Sequence, residues 1–443
     1  MIKMTRLLIA MKAIDKRWFA GYVLLLLVGF SISLKQPPFY MPDEGAHYLR
    51  AYEVSRLHLI NFRGNVGADV SCSEYISAAK KYHPTPNVQK KAEDGQADPL
   101  CTVRSRNTAG AYSFISYIPA AAALALTDEL GWAVEQKLAA ARSVNFLVWF
   151  SILFAGLMFI CRGRLLILCI VLMPAFFWQL VALSADGASF ASCVVFVCAV
   201  VGLIQRGQAV SGRAIGWLVA LAMLIGASKG VYALIALFAF ALWNQLSGKS
   251  WWFKVASLAS PTVSALGIFV LFTGMADPSQ VYLGNGAVPP EQLNYVIQNP
   301  LAFSKTLLDM FFSTPLEAVA VPRYAVANPR SSLNAAIIFG LALAVLMLRS
   351  DFGVGRRGRC LAAALSVVGF ISFCLPLYLT YTPVGLSSIL GIQGRYYLPL
   401  LPLVFVALAF NMSDVNWPAF QSKAGWIIVL PILFLLWACW NIK

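Results

Sequence analysis

From Trp18 to the C-terminus, long apolar stretches alternate with short basic turns. Each stretch lies near the roughly 20 residues that a helix needs to cross a bilayer. No strand-type alternation is visible, and a bilayer interior offers backbone groups no water, so helices are expected throughout. The pattern predicts spans over 17–34, 143–161, 165–183, 187–205, 214–227, 231–247, 252–274, 333–348, 360–382, 394–411 and 424–441. That makes about eleven transmembrane helices in a single all-α polytopic membrane domain covering 1–443.

Two segments interrupt the pattern. Residues 35–142 form a first external loop that opens with a short helix from Met41 and continues through irregular Pro- and Gly-containing sequence. Within it, 111–126 is apolar but too short for an easy span and carries Pro119, so it is expected as a juxtamembrane helix in the outer leaflet. Residues 275–332 form a second external loop, with apolar positions at helical spacing that suit an amphipathic helix lying along the membrane.

Composition agrees with the pattern: the chain is 59% hydrophobic and 12% charged, against about 25% charged in soluble domains. The net charge of +15 does not point to nucleic acid, because the cations sit in clusters between apolar stretches. Lys3, Arg6, Lys12, Lys16 and Arg17 precede the first span; Arg162/Arg164, Arg206/Arg213, Lys249/Lys254 and Arg349/Arg356/Arg357/Arg359 follow later ones. The positive-inside bias puts all of them in the cytoplasm, provided that 111–126 does not span. The N-terminus is then cytoplasmic, the C-terminus external, and the first span a retained helix, since no A-x-A cleavage site follows it. Cys72 and Cys101 fall in the external loop, where either a disulfide or two free thiols is open.

Directly after the first span comes "PPFYMPDEGAHYLRAYEVS". Pro42 suits a first helical turn, and Asp43 and Glu44 stand at the positive end of the helix dipole. A helix continuing from there puts Asp43, His47 and Arg50 on one face. Helix capping, with His47 and Arg50 on lipid headgroups, is the plain alternative. Other ionisable residues weigh against it. "SADGA" puts Asp186, "GASKGVYA" puts Lys229, and "GIQGRYYLPLLP" puts Gln393 and Arg395 at outward-facing span junctions. Such residues near a membrane interior are costly and mark function, although snorkelling remains open for Lys229 and Arg395.

Cations that bind phosphate oxygens beside a carboxylate base fit glycosyl transfer from a polyprenyl-phosphate sugar to a hydroxyl acceptor. Nucleotide sugars are absent outside the cytoplasm, and no phosphate-cradling Gly loop is present. A lipid-linked sugar flippase or transporter, and a polysaccharide polymerase or ligase, are the rival readings.

Two motifs, "PPFYMPDEGAHYLRAYEVS" and "YTPVGLSSILGIQGRYYLPLLPL", together with "SADGA" and "EQLNYVIQNPLAF", resemble a family of bacterial polytopic membrane proteins of unknown function placed near the GT-C glycosyltransferases. The likeness extends over nearly the whole chain; "SKGVY" departs from it, since the family tends to have proline after the lysine. The resemblance implies a GT-C-like fold in the bacterial inner membrane, a periplasmic active site, and a role in O-antigen or other surface polysaccharide assembly. It also implies residue roles. Asp43 is the expected base, with Glu44 second as base or metal ligand. Arg50, Lys229 and Arg395 are expected to hold donor phosphate, His47 to orient base or acceptor, and Asp186 to bind sugar hydroxyls. Gln393 and Tyr396 are expected at the substrate, and Tyr48, Tyr52 and Tyr397 along sugar or lipid, with packing as the plainer role of each tyrosine. A single base and a phosphate leaving group suffice for inversion; a divalent metal at Asp43 and Glu44 is possible but nothing compels it.

Overall fold

The computed structural model describes residues 16–41, 43–60, 109, 112–275, 285–313, 340, 343 and 351–409. Among these residues every regular element is helical. Five helices are long and apolar enough to cross a membrane: α1 (Lys16–Lys35), α4 (Val134–Leu157), α7 (Ala185–Arg206), α9 (Trp251–Met275) and α12 (Arg356–Tyr381). Helices α5 (Arg164–Val171) and α6 (Pro174–Val181) form a sixth stretch bent by 66°. Pro174 explains the bend, because proline disfavours helical backbone in the residue before it, and Met173 is extended at ψ 130.

Three apolar helical stretches are shorter: α8 (Gly212–Ser228), the 3-10 helix Gly230–Leu246, and Gly394–Leu408, in which a 3-10 turn Gly394–Leu400 leads into α13 (Leu401–Leu408). Apolar helices thus occupy nine of the expected stretches. The other two, 333–348 and 424–441, lie outside the described residues apart from Gly340 and Leu343.

The 3-10 helix Gly230–Leu246 has 17 residues. At about 2.0 Å per residue it reaches about 34 Å, where an α-helix of equal length reaches about 26 Å. Its burial repeats every third residue: Val231, Leu234, Leu237, Phe240 and Trp243 are half-buried, while Tyr232, Ile235 and Phe238, and Ala233, Ala236 and Ala239, are buried. Side chains three apart eclipse in this geometry, so the alanine column lets neighbouring helices close in.

Helix α7 is the centre of the bundle. Its most apolar window is 83% buried, against 22% for α9 and 28% for α1. It packs on α4, α8 and the long 3-10 helix. Where α8 meets α9, a Cβ on Gly226 would lie 2.0 Å from the Ala265 carbonyl oxygen, so only glycine allows that approach.

Shorter helices cap the end of the bundle at which α7 begins. Helix α2 (Glu44–Ser55) packs on α3 (Ile118–Glu129), which follows a short 3-10 turn, Phe114–Tyr117. With 12 residues, α3 reaches about 18 Å, too short to cross a core of about 30 Å. Helix α10 (Pro289–Gln298) sits over the C-terminal end of α12, and α11 (Pro300–Ser313) follows it, with Phe303 on Tyr378 and Phe311 on Phe370 of α12. Gln292 pins α10 there: its amide donates to the carbonyls of Tyr378 (3.2 Å) and Pro383 (3.3 Å) and accepts from the Gly385 N–H (2.9 Å). Leu293, Ile297, Leu301, Leu308 and Phe312 remain exposed on this pair, as on helices that rest in lipid.

The α8–α9 approach gives a direct check. Gly226→Val is expected to abolish recovery of monodisperse protein in size-exclusion chromatography, whereas Gly216→Ala, with no atom within 4 Å of the added Cβ, is expected to leave it unchanged.

Candidate functional site

The site begins at the N-terminus of α7. The Ser184 hydroxyl caps the helix by accepting from the Asp186 N–H (3.2 Å), and Asp186 occupies the first turn, where the helix dipole favours a carboxylate. Asp186 is completely buried. Two cations reach it from distant parts of the chain. Lys229, at the extended break between α8 and the long 3-10 helix, forms an ion pair with Oδ1. Arg395, in the 3-10 turn Gly394–Leu400, brings Nη1 to 3.4 Å from Oδ2.

The same guanidinium continues outward. Its Nη2 donates to Asp43 Oδ2 at 2.5 Å. Lys229, Asp186, Arg395 and Asp43 therefore form one chain of alternating charge, and side-chain exposure rises along it from 1% at Asp186 to 55% at Asp43. The cluster opens to its surroundings at Asp43.

Asp43 is the N-cap residue of α2, yet its side chain makes no capping bond. Its backbone is left-handed (φ 61, ψ 4), a region that non-glycine residues rarely occupy, and the carboxylate faces Arg395. Capping thus does not account for Asp43. Pro42 lies outside the described residues.

Tyrosines wall the cations. The Lys229 Nζ lies 5.7 Å from the Tyr112 ring and 5.2 Å from the Tyr396 ring, and Arg395 Cζ lies 5.6 Å from Tyr396. The Tyr232 hydroxyl donates to the Tyr396 carbonyl (3.0 Å) and holds that turn in place. At Gly230 a Cβ would meet the Phe269 ring at 1.9 Å, so the residue after the lysine serves a close approach. His47 stacks between Tyr112 and Tyr117, and its Nδ1 shares a 2.7 Å hydrogen bond with the Tyr117 hydroxyl. Burial pushes the His47 imidazole down from 6.5 to about 4; Lys229 and Arg395 add to the shift, and Asp186 and Asp43 oppose it.

The structure brings together Asp43, His47, Asp186, Lys229, Arg395 and Tyr396. It separates Glu44 and Arg50 from them. Glu44 is buried and bound by Arg142, Oε1 to Nε at 2.7 Å and Oε2 to Nη2 at 2.5 Å, and it also accepts from the Leu183 N–H. Arg142 further donates to the carbonyls of Gln36 and Pro37, so this pair ties α1, α2, α4 and the α6–α7 junction together. Glu44, expected as second base, thus has both oxygens on Arg142 and lies apart from the cluster. Arg50 likewise donates to Glu53 and to the carbonyls of Tyr112, His58 and Leu59, which places it on loop backbone and not at a phosphate position.

Asp186, expected on sugar hydroxyls, is occupied on both oxygens by cations. Gln393 is half-buried and supplies the carbonyl that accepts from the Tyr396 N–H. Tyr48 packs on Phe39 and Tyr52, Tyr52 bonds Asp128, and Tyr397 donates to the Met310 carbonyl. Cys72 and Cys101 lie outside the described residues. A metal does not fit at Asp43 and Glu44, whose carboxylates diverge to different arginines, and among the described residues no group of three His, Cys, Asp or Glu converges on an ion position.

Sequence reading missed Arg142, Tyr112 and Tyr117. Arg142 stands at the edge of an apolar stretch and resembles any boundary cation; its intrusion before an external span end was the available signal. Tyr112 and Tyr117 look like interfacial aromatics, and nothing local in "AYSFISYIP" shows that they enclose a histidine.

Two outcomes follow from these surroundings. Glu44→Ala strands Arg142 and is expected to lower stability by about 3–5 kcal/mol, while Asp43→Asn, at an exposed pair, is expected to cost under about 1 kcal/mol; thermal unfolding in detergent separates them. The folded imidazole of His47 binds its proton less readily than the unfolded one, so its contribution is intact above pH 6.5 and is lost as pH falls toward about 4. His47→Gln is expected to flatten that part of the pH–stability curve.

No curated relative and no solved structure matches the chain. A family model described as a predicted membrane protein, DUF2142, matches residues 25–404. With its apolar helices and the motifs of α2 and the 394–400 turn inside that match, the chain belongs to the DUF2142 family of membrane proteins.

Proposed function

We propose that this protein is a GT-C-type membrane glycosyltransferase that moves a sugar from a polyprenyl-phosphate donor to a surface polysaccharide or lipid-linked glycan at the periplasmic face of the bacterial inner membrane, with inversion. The observation that carries the reading is the Arg395 guanidinium held between buried Asp186 and exposed Asp43. Within the cluster two carboxylates balance two cations. An incoming phosphate competes for Arg395, and Asp43 is the carboxylate that can yield, because it is exposed and Asp186 is buried between both cations.

Exchange sets up the chemistry. Arg395 binds the donor phosphate in bidentate fashion, with Lys229 as a nearby point charge. Asp43, released, takes the proton from an acceptor hydroxyl. The acceptor oxygen attacks the anomeric carbon, the bond from that carbon to the phosphate oxygen breaks, and its electron pair stays on the phosphate that the cations hold. Asp186 acts by position: it holds Lys229 and Arg395 in register and keeps them charged where burial disfavours charge. Half-buried Tyr396, already packed on both cations, offers a ring face for the sugar. The eleven-span topology and the periplasmic orientation belong to this proposal.

Transport of a lipid-linked sugar is the second reading, favoured by the 66° break between α5 and α6, since transporters build sites on broken helices. Against it, Leu172 and Met173 at the break are fully buried apolar residues and line no charged path.

Mass spectrometry of the surface glycan from cells bearing the unmodified chain, no chain, Asp43→Asn or Arg395→Gln, at matched membrane abundance, tests the proposal. A single-sugar increment is expected with the unmodified chain and a loss of about 100-fold or more in each variant. Persistence of the increment in Asp43→Asn contradicts the assignment of the base; lipid-linked intermediates that shift between leaflets with no glycan change favour transport.

A further inference from the structure

The cations of the site lie at one end of a continuous ladder of aromatic rings. Tyr396, packed on Lys229 and Arg395, has its ring 6.0 Å from Phe373. Phe373 lies 5.5 Å from Phe370, Phe370 lies 5.4 Å from Phe311, and Phe311 lies 5.4 Å from Phe312. Tyr397 braces the middle, 5.1 Å from Phe373 and 5.6 Å from Phe370. Its hydroxyl donates to the Met310 carbonyl and thereby ties the ladder to α11. From Phe373 outward, exposure rises along the ladder. Phe370 and Phe373 are buried in the seam between α11 and α12, whereas Phe311 is 43% and Phe312 73% exposed on a helix whose Leu301 and Leu308 are exposed as well.

A phosphate at Arg395 on a polyprenyl donor places a hard requirement on the surroundings. The isoprenoid chain must run from those cations to the bilayer without crossing polar surface, because each buried CH₂ group is worth about 0.8 kcal/mol of transfer free energy. The opposite flank of the site does not offer such a path: it holds His47, Arg50 and Glu53 around Tyr112 and Tyr117. The α11–α12 side does.

We infer that the isoprenoid chain of the donor leaves the charged cluster past Tyr396 and lies along the α11–α12 seam, with Phe311 and Phe312 as its contacts at the lipid end. The inference rests on the proposed polyprenyl-phosphate donor. It assigns this seam as a lipid-binding subsite and gives the second external loop a substrate-holding role. Flat, stiff rings already held by one another lose little freedom when an isoprenoid chain settles on them.

The test compares two probes on the full chain in detergent micelles, with binding read by native mass spectrometry. Geranyl phosphate carries the phosphate with a chain too short to reach the outer rings; a long-chain polyprenyl phosphate carries both. Phe311→Ala and Phe312→Ala, at exposed positions that spare the fold, are expected to weaken the long-chain probe about tenfold and leave geranyl phosphate unchanged. Arg395→Gln is expected to weaken both probes, and Phe253→Ala, at an exposed aromatic remote from the seam on α9, neither. If the phenylalanine variants weaken both probes alike, or neither, while Arg395→Gln weakens both, the seam is not the route and the donor reading stands. If Arg395→Gln weakens neither probe, the donor reading fails and the route fails with it.

Discussion

A carboxylate with no exposure to water, Asp186 at the start of the central helix, is the constraint around which the rest is arranged. An ion of that size removed from water without partners costs several kcal/mol even after relaxation, more than most single contacts return. The helix dipole and the Ser184 cap offset part of that cost, and Lys229 and Arg395 offset more. Meeting this demand draws together the α7 N-terminus, the α8 break and the 394–400 turn. Arg395 then has a second donor to spare, and that donor reaches Asp43.

Adjacent residues divide two tasks between them. Glu44 turns inward to Arg142 and fastens α2 to three other elements with a buried, bidentate pair. Asp43 turns outward to the cluster from a left-handed backbone whose conformation costs roughly 1–3 kcal/mol. The second arrangement depends on the first: with α2 fixed by Glu44, the cap residue is held where its carboxylate meets Arg395. Capping does not explain strain at an exposed, ion-paired residue beside a charged cluster, and the proposed role of Asp43 as base gives that strain a use.

Much of this was legible in the sequence because membrane physics makes it so. Apolar length marked the helices, and the shortness of 111–126 with Pro119 pointed to a short helix, which α3 with its 12 residues is. Ionisable residues at apolar boundaries pointed to Asp43, Asp186, Lys229 and Arg395, which the structure gathers from positions far apart in the chain. Direction was not legible. Helical periodicity put Asp43, His47 and Arg50 on one face, but the left-handed cap rotates Asp43 away from that register, and Arg50 follows the carbonyls of Tyr112, His58 and Leu59. Nor does any local pattern reveal that Glu44 and Arg142 are partners, because such pairing is decided by packing between elements. The 3-10 course of 230–246 was hidden for a different reason: an apolar run reads alike at either helical period when most positions are hydrophobic.

In the proposed mechanism Arg395 exchanges Asp43 for the phosphate of a polyprenyl donor. An electron cryo-microscopy structure of the full chain in lipid nanodiscs with long-chain polyprenyl phosphate tests that exchange most directly. Phosphate oxygens are expected within hydrogen-bond distance of Arg395 and Lys229, with the Asp43 carboxylate released toward the open edge and Asp186 still between its two cations. A phosphate bound elsewhere, with the Arg395–Asp43 pair intact, contradicts the exchange.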